Sequence, residues 1–275
     1  MATTLRAGIL ADLHLVKDTS RRQSWQNAYD FAGVERRCER AHAFFARHEV
    51  DVVLLLGDLA EDGDLPMLRR ALRLGSSDAP TFVVGGNHDG VGRLPRALRG
   101  EPGAARLAGA RGRRVGGLRL AGLPVTRRAR GRWGSTRRPA VGEWGRGPVV
   151  LASHFPVIPR ERALQRAGLR HPAGLVDREV VRATLDRRRG PTVVLHGHLH
   201  VRDSVAVESI LQISCGALIE PPFDATLLTV EVEGDSVTVR RRAHELGRAR
   251  EQRDPRMVGA HQRWRFVRGR GWRAG

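Results

Sequence analysis

Five short apolar runs, each ending abruptly in aspartate, asparagine or histidine, constrain this chain more than anything else in its sequence. Ala7-Gly8-Ile9-Leu10-Ala11 runs into Asp12-Leu13-His14, and Val52-Val53-Leu54-Leu55-Leu56 into Gly57-Asp58. Thr81-Phe82-Val83-Val84 runs into Gly85-Gly86-Asn87-His88-Asp89, and Val149-Val150-Leu151-Ala152-Ser153 into His154. Thr192-Val193-Val194-Leu195 runs into His196-Gly197-His198-Leu199-His200. Uninterrupted aliphatic and β-branched runs of this length read as strands buried on both faces. Between them lie stretches of helical periodicity. Residues 22–48 form the longest, with Trp25, Ala28, Phe31, Cys38, Ala41 and Phe45 as inward candidates; 65–74 and 176–188 follow. Strand alternating with helix predicts a layered α/β fold. Residues 205–209, 211–215, 225–232 and 236–240 predict a strand meander, with Gly234-Asp235 as a hairpin turn.

In an open α/β sheet the carboxyl ends of the strands gather in one crevice. Five strands ending in Asp, Asn and His therefore deliver those side chains to one place. The candidate ligands are Asp12, His14, Asp58, Asn87, His154, His198 and His200. They offer nitrogen and oxygen without sulfur, which suits Mn²⁺, Fe or Zn²⁺ over a soft metal. They are too many for one four-coordinate ion. They fit two ions sharing a carboxylate, a device for phosphoester displacement with the ions roughly 3.5–4 Å apart. Gly57, Gly86 and Gly197 let the chain turn sharply beside the ions, since they lack Cβ. His42, His48, His171, His244 and His261 have no such setting and read as surface or interface residues.

Composition bounds the rest. A chain of 275 residues needs no disulfide staples. Cys38 and Cys215 read as buried free thiols in a reducing compartment, so the expected location is cytoplasmic. No apolar run approaches the roughly 20 residues of a membrane span, and residues 1–10 lack the apolar core of a secretion signal. The formal net charge is +19 and unevenly placed. Residues 102–142 hold 11 arginines and no acid, and residues 240–275 hold 12 arginines against three acids, so the remainder is close to neutral. These stretches predict one domain over residues 1–240, with a basic insertion at 102–142, and an Arg-rich tail over 241–275. Within the insertion 115–125 predicts a strand and 127–138 an exposed loop. Lys17 is the only lysine, a bias expected of a GC-rich coding sequence, so the basic stretches read first as solvated surface. Binding of nucleic acid or another polyanion is the alternative. Trp264, Phe266 and Trp272, interleaved with the tail arginines, either stack on bases or pack the tail onto the domain.

Asp12-x-His14, Gly57-Asp58, Gly86-Asn87-His88-Asp89, His154 and Gly197-His198-x-His200, in that order over about residues 5–200, resemble the full motif set of the calcineurin-like metallophosphoesterases. The resemblance implies a four-layer α/β/β/α sandwich, two mixed sheets face to face with helices outside. It implies two divalent ions, Mn²⁺ first, with Fe or Zn²⁺ as alternatives. By position, Asp12, His14 and His200 hold one ion, Asn87, His154 and His198 the other, and Asp58 bridges them. A hydroxide between the ions is then expected to attack phosphorus in line. His88 matches the histidine beside the leaving group, a general acid or charge stabiliser, with Asp89 orienting it. His196 lies outside the motif and reads as a buried residue at the end of its strand.

Protein phosphatases of the superfamily carry an arginine before the glycine that follows the bridging aspartate, and a glutamate after Asn-His. Asp62 and Asp89 stand there in this chain, which points away from them. Leu59-Ala60-Glu61-Asp62-Gly63 and Asn87-His88-Asp89 are more similar to the cyclic-nucleotide phosphodiesterase branch. Phosphomonoesterases, nucleases and lipid-precursor hydrolases share the same blocks and stay open as alternatives. A non-catalytic scaffold that has lost its ligands is disfavoured, because every ligand position is filled by a competent residue. The expected substrate is a small-molecule phosphoester; the oligomeric state is not legible.

Overall fold

The computed structural model describes residues 3–90, 92–101, 103, 105–135, 139–188, 190–248 and 251–275. The first half of the chain carries β1 (Thr3–Leu10), β2 (Val52–Leu55), β3 (Thr81–Val83), β4 (Arg106–Leu107), β5 (Arg113–Val115), β6 (Leu118–Gly122), β7 (Val125–Arg127) and β8 (Trp133–Ser135). The second half carries β9 (Val149–Ala152), β10 (Thr192–His196), β11 (Asp203–Val207), β12 (Ile210–Ser214), β13 (Asp224–Glu233), β14 (Ser236–Glu245), β15 (His261–Val267) and β16 (Gly271–Ala274). The helices are α1 (Val34–Arg47), α2 (Leu65–Gly75), α3 (Arg93–Arg99), α4 (Val141–Trp144), α5 (Glu161–Arg166) and α6 (Arg178–Asp186).

One sheet has the order β16-β15-β14-β13-β1-β2-β3-β4, the other β11-β12-β10-β9-β6-β5, and β7 pairs only with β8. The apolar clusters show how the layers stack. Ile9, Leu54 and Leu56 of the first sheet pack with Val150, Leu195 and Ile213 of the second, so the two sheets lie face to face. The alternate residues of the same strands, Val53, Leu55 and Val83, pack against Phe45 of α1 and Leu68 and Leu72 of α2. On the far side, Leu151 and Val194 pack against Val181 and Leu185 of α6. Strands with an apolar partner on each face have no polar face to alternate with, which is why these runs are continuous. β1, β2 and β3 are parallel to one another, as are β9 and β10, so their ligand-bearing carboxyl ends point the same way within each sheet.

Several sequence expectations are corrected. The helix expected over 22–48 begins only at Val34. Ahead of it Asp30 caps a single turn at Phe31–Gly33, Arg37 grips Asp30, and Ala28 is exposed. The stretch 115–125 is not one strand: Gly116 and Gly117, both at positive φ, turn β5 back along β6. Residues 127–135 of the expected loop are largely the β7–β8 ribbon, and 136–138 lie outside the described residues, as do 102 and 104 of the insertion. The expected meander divides, β11 and β12 joining one sheet and β13 and β14 the other. The expected domain limit at residue 240 falls in the middle of β14, and β15 and β16 extend the same sheet beyond it; residues 249 and 250 of the tail lie outside the described residues. The tail aromatics Trp264, Phe266 and Trp272 are buried in the core between the sheets. Among the described residues no helix is long and apolar enough to cross a membrane, and Cys38 and Cys215 are both buried and free.

Candidate metal centre

The seven expected ligands converge. Asp12, His14 and His200 bring their ligand atoms together in one group, and Asp58, His154 and His198 in another, each within 4.8 Å. In the second group His154 Nε2 lies 3.2 Å from Asp58 Oδ2, 3.0 Å from Asn87 Oδ1 and 3.2 Å from His198 Nδ1. In the first, His200 Nε2 lies 3.6 Å from Asp12 Oδ1 and His14 Nε2 lies 3.7 Å from Asp58 Oδ2. One oxygen, Asp58 Oδ2, therefore faces both groups. Its other oxygen accepts the His88 backbone N–H at 2.8 Å.

The local backbone is bent to achieve this. Asp12, His14, Asp58, His198 and His200 all have positive φ, which non-glycine residues adopt at a cost of order 1–3 kcal/mol each. The strand end must reverse at once to aim the side chain back across the crevice. The glycines supply the room: a Cβ on Gly86 would collide with Asp58 Oδ1, and one on Gly57 would sit 2.7 Å from the Gly86 nitrogen.

Each expected ligand histidine has its far nitrogen on a group that can only accept. His154 Nδ1 meets the Leu56 carbonyl at 2.8 Å, and His198 Nε2 the Ala173 carbonyl at 3.2 Å. His200 Nδ1 meets Glu220 Oε1 at 2.6 Å, and His14 Nδ1 meets the Glu61 carboxylate. Those contacts fix the tautomers and leave the near nitrogen as a lone pair facing the group, the arrangement that holds metal-binding imidazoles. His14 Nε2 is buried with no hydrogen-bond partner. An orphaned acceptor aimed at a carboxylate oxygen, in an all-N/O donor set, fits a divalent cation there.

The electrostatics follow from this crowding. Burial works against the charge on Asp58, yet His154, His14 and His88 hold its carboxyl well below the usual range. Burial likewise opposes protonation of His154, but Asp58 and Asp12 outweigh it and push the imidazole up to about 9. Burial drives His198 well down.

His88 brings a ring nitrogen within 4.8 Å of ligand atoms of His14 and Asp58, a third grouping beside the two expected ones. Its Nδ1 lies 3.0 Å from the Glu61 carbonyl and 3.2 Å from Glu61 Oε1. Burial opposes its charge, but Glu61 and Asp58 together push it up to about 9. The expectation that Asp89 orients His88 is corrected. The Asp89 carboxylate accepts backbone N–H groups of Leu59 at 2.6 Å, Ala60 at 3.2 Å and Gly86 at 2.8 Å. It staples the loop carrying Asp58 to the loop carrying Asn87, and Glu61 takes the orienting place. His196 is fully buried, with Nδ1 on the Gly197 carbonyl at 2.9 Å, and burial pushes it down to about 3.

Two carboxylates were missed as site residues. Glu61 stood in the sequence only as loop spelling. Glu220 was not singled out at all, although it ends the apolar run Ala217-Leu218-Ile219 in the same manner as the five recognised segments. Glu220 is fully buried, holds His200 and accepts the Gln26 and Asn27 backbone N–H groups. That hydrogen bonding also explains why residues 22–30 leave the helix.

Comparison with known proteins agrees with this geometry. The sequence profile described as calcineurin-like phosphoesterase matches residues 5–202. A probable cyclic nucleotide phosphodiesterase of Xenorhabdus bovienii is 31% identical over 81 residues, 29% of this chain and 32% of that protein. The match thus spans about a third of that relative's length. Among solved structures, a dimetal phosphatase from Danio rerio has a TM-score of 0.59 at 15% identity, over 86% of this chain and 95% of that one. A purple acid phosphatase from yellow lupin seeds has a TM-score of 0.54 at 10% identity, over 93% of this chain and 54% of that one. Both similarities are of fold. With its profile match running through all five expected ligand segments, the chain belongs to the calcineurin-like phosphoesterase family.

Proposed function

We propose that this chain hydrolyses a phosphodiester, with a cyclic nucleotide as the leading candidate, at a pair of ions held by Asp12, His14 and His200 on one side and Asn87, His154 and His198 on the other. Asp58 is the shared ligand. The observation that carries the reading is the position of Asp58 Oδ2, within 3.7 Å of His14 Nε2 and 3.2 Å of His154 Nε2. When bound, such ions neutralise the phosphoryl oxygens and acidify a water to serve as nucleophile. Manganese suits the hard oxygen and imidazole donors, with Fe or Zn²⁺ as alternatives.

The chain's own residues supply the rest. His88, held protonated by Glu61 and Asp58, delivers a proton to the departing alkoxide. Glu61 braces both His88 and His14, so the acid and one ligand move together. Asp89, by tying the Asp58 and Asn87 loops, keeps the two halves of the ligand set in register. The partial match to a probable cyclic nucleotide phosphodiesterase supports the diester reading.

The test is turnover with Mn²⁺ supplied, comparing cyclic mononucleotides, bis(p-nitrophenyl) phosphate, p-nitrophenyl phosphate and a nucleic acid. Diesters should lead by kcat/KM. A clear preference for p-nitrophenyl phosphate would move the assignment to a phosphomonoesterase.

A further inference from the structure

The edge of the larger sheet distributes its residues by strict alternation. On β14, Val237, Val239 and Arg241 point inward, while Thr238, Arg240 and Arg242 point outward. On β15, Trp264 and Phe266 are buried and Arg263 and Arg265 exposed; on β16, Trp272 is buried and Arg273 exposed. The pairing register sets like charges directly opposite one another. Arg240 faces Arg263, and Arg265 faces Arg273. Directly opposed like charges destabilise a sheet.

Among the described residues no helix offsets this. The helical layer ends at α1, whose Phe44 stacks on His244 and lies under Arg242, and whose neighbour His48 lies 3.4 Å from Arg242. Beyond it the face is bare, opening as a groove of about 500 Å³ lined by His48, Thr229, Arg240, Arg242 and Arg263. The field is felt by the histidines at its rim: burial and then Arg242 hold both His48 and His244 below their ordinary range.

What marks this face is register: arginine is set opposite arginine across the ladder, whereas arginines such as Arg37, Arg160 and Arg202 pair with Asp30, Asp203 and Asp224. Here Arg240 has Glu231. Among the described residues Arg242, Arg263, Arg265 and Arg273 have no carboxylate within ion-pair distance. We propose that the outward face of β14, β15 and β16 is a docking surface for the phosphate backbone of a nucleic acid duplex. The aromatics that sequence reading left free to stack on bases are in the core, so the face offers cations without stacking platforms. That combination reads phosphates and not bases, the mode of sequence-independent duplex binding, and disfavours a single strand, which is held by base–aromatic stacking. The face shares no residue with the metal centre, and the inference stands apart from the choice of phosphoester.

The experiment is fluorescence anisotropy with the full chain and a labelled duplex DNA of about two helical turns, over a salt series. Four arginines without a carboxylate partner predict a log Kd against log salt slope of magnitude about 3.6. The double variant Arg263→Glu/Arg273→Glu should weaken binding at least about tenfold and cut that slope by about 2. Arg96→Glu/Arg99→Glu on α3 makes the same change in net charge and should leave binding nearly intact. Both variants should turn over bis(p-nitrophenyl) phosphate like the unaltered chain, which also shows that they fold; Arg263→Gln/Arg273→Gln serves if the first does not. Absence of duplex binding at low salt overturns the proposal. So does equal weakening by the two variants, or binding to phosphatidylserine vesicles with the duplex left free.

Discussion

At the carboxyl ends of β1, β2, β9 and β10, and on the link after β12, four buried carboxylates lie against histidines: Asp12 with His200, Asp58 with His154, Glu61 with His14, Glu220 with His200. On the outward face of β14–β16, arginine stands opposite arginine in open solvent. Both regions hold arrangements that folding alone would not select, but of different kinds. The crevice stores its cost in the backbone, in five ligands at positive φ, and in buried groups crowded until their protonation shifts. The face stores it in like-charge repulsion between exposed side chains on an otherwise regular sheet. A site for a small cation must desolvate and fix its ligands; a surface for a polyanion needs only charge density and stays wet. The two regions should therefore respond oppositely to mutation, pH and salt.

The largest effect is expected at the shared ligand. Asp58→Asn keeps the shape but removes the charge facing both ion groups. It should lower metal content at both positions and turnover of a model diester by about 10³-fold or more. Metal analysis of the purified variant alongside kinetics reads both. Retention of two ions per chain would break the assignment of Asp58 as the bridge. Duplex binding at the sheet face should be unmoved, which separates the two regions in one protein.

His88→Ala comes next. The His88 ring lies within 4.8 Å of ligand atoms of His14 and Asp58, but with its role that of the acid the variant should keep both ions while turnover falls by roughly 10²–10⁴-fold. A substrate whose leaving group needs no proton, such as a p-nitrophenyl diester, should lose less than one with an alkyl leaving group. Equal losses for both, or an emptied centre, would contradict an acid role.

The crevice should also be sensitive to pH in a way that the face is not. His154 is pushed from 6.5 up to about 9 in the folded metal-free chain. With the folded value raised, its protonated form stabilises the fold below the unfolded value and that contribution is lost as pH rises through about 9. A cation at Nε2 must displace this proton, so metal affinity should climb by up to about tenfold per pH unit between neutrality and about 9. Calorimetric Mn²⁺ titrations in buffers of different ionisation enthalpy count the released proton. A flat profile would show that Asp58 does not hold His154 charged.

The same contrast explains what could be read in advance. The five ligand segments were legible because apolar strand and terminal ligand are contiguous, so one local pattern carries both the fold and the site. Glu220 obeys that pattern but lies on the link where the chain passes from β12 in one sheet to β13 in the other, and a strand-by-strand reading takes that region as one meander. The function of Asp89 was hidden because its partners are backbone N–H groups, which no side-chain pattern reveals. In the C-terminal region the period-two alternation of aromatic and arginine was present in the sequence. Arginine abundance masked it, and a strand with one wet face looked like a tail.

The smallest expected effect has the opposite sign. Arg263→Thr removes one of two arginines placed directly opposite on β14 and β15 and substitutes a residue that favours strands. Relief of a like-charge cross-strand pair contributes roughly 0.2–1 kcal/mol. The variant should be more stable than the unaltered chain in urea at low salt, and the gain should shrink as salt screens the pair. Its duplex affinity should fall at the same time. Stability gained and binding lost through a single exposed side chain is what separates a face kept for a partner from one that is merely arginine-rich. If Arg263→Thr is instead neutral in stability at low salt, Arg240 is already satisfied by Glu231, and the strain assigned to this face lies with Arg265 and Arg273 alone.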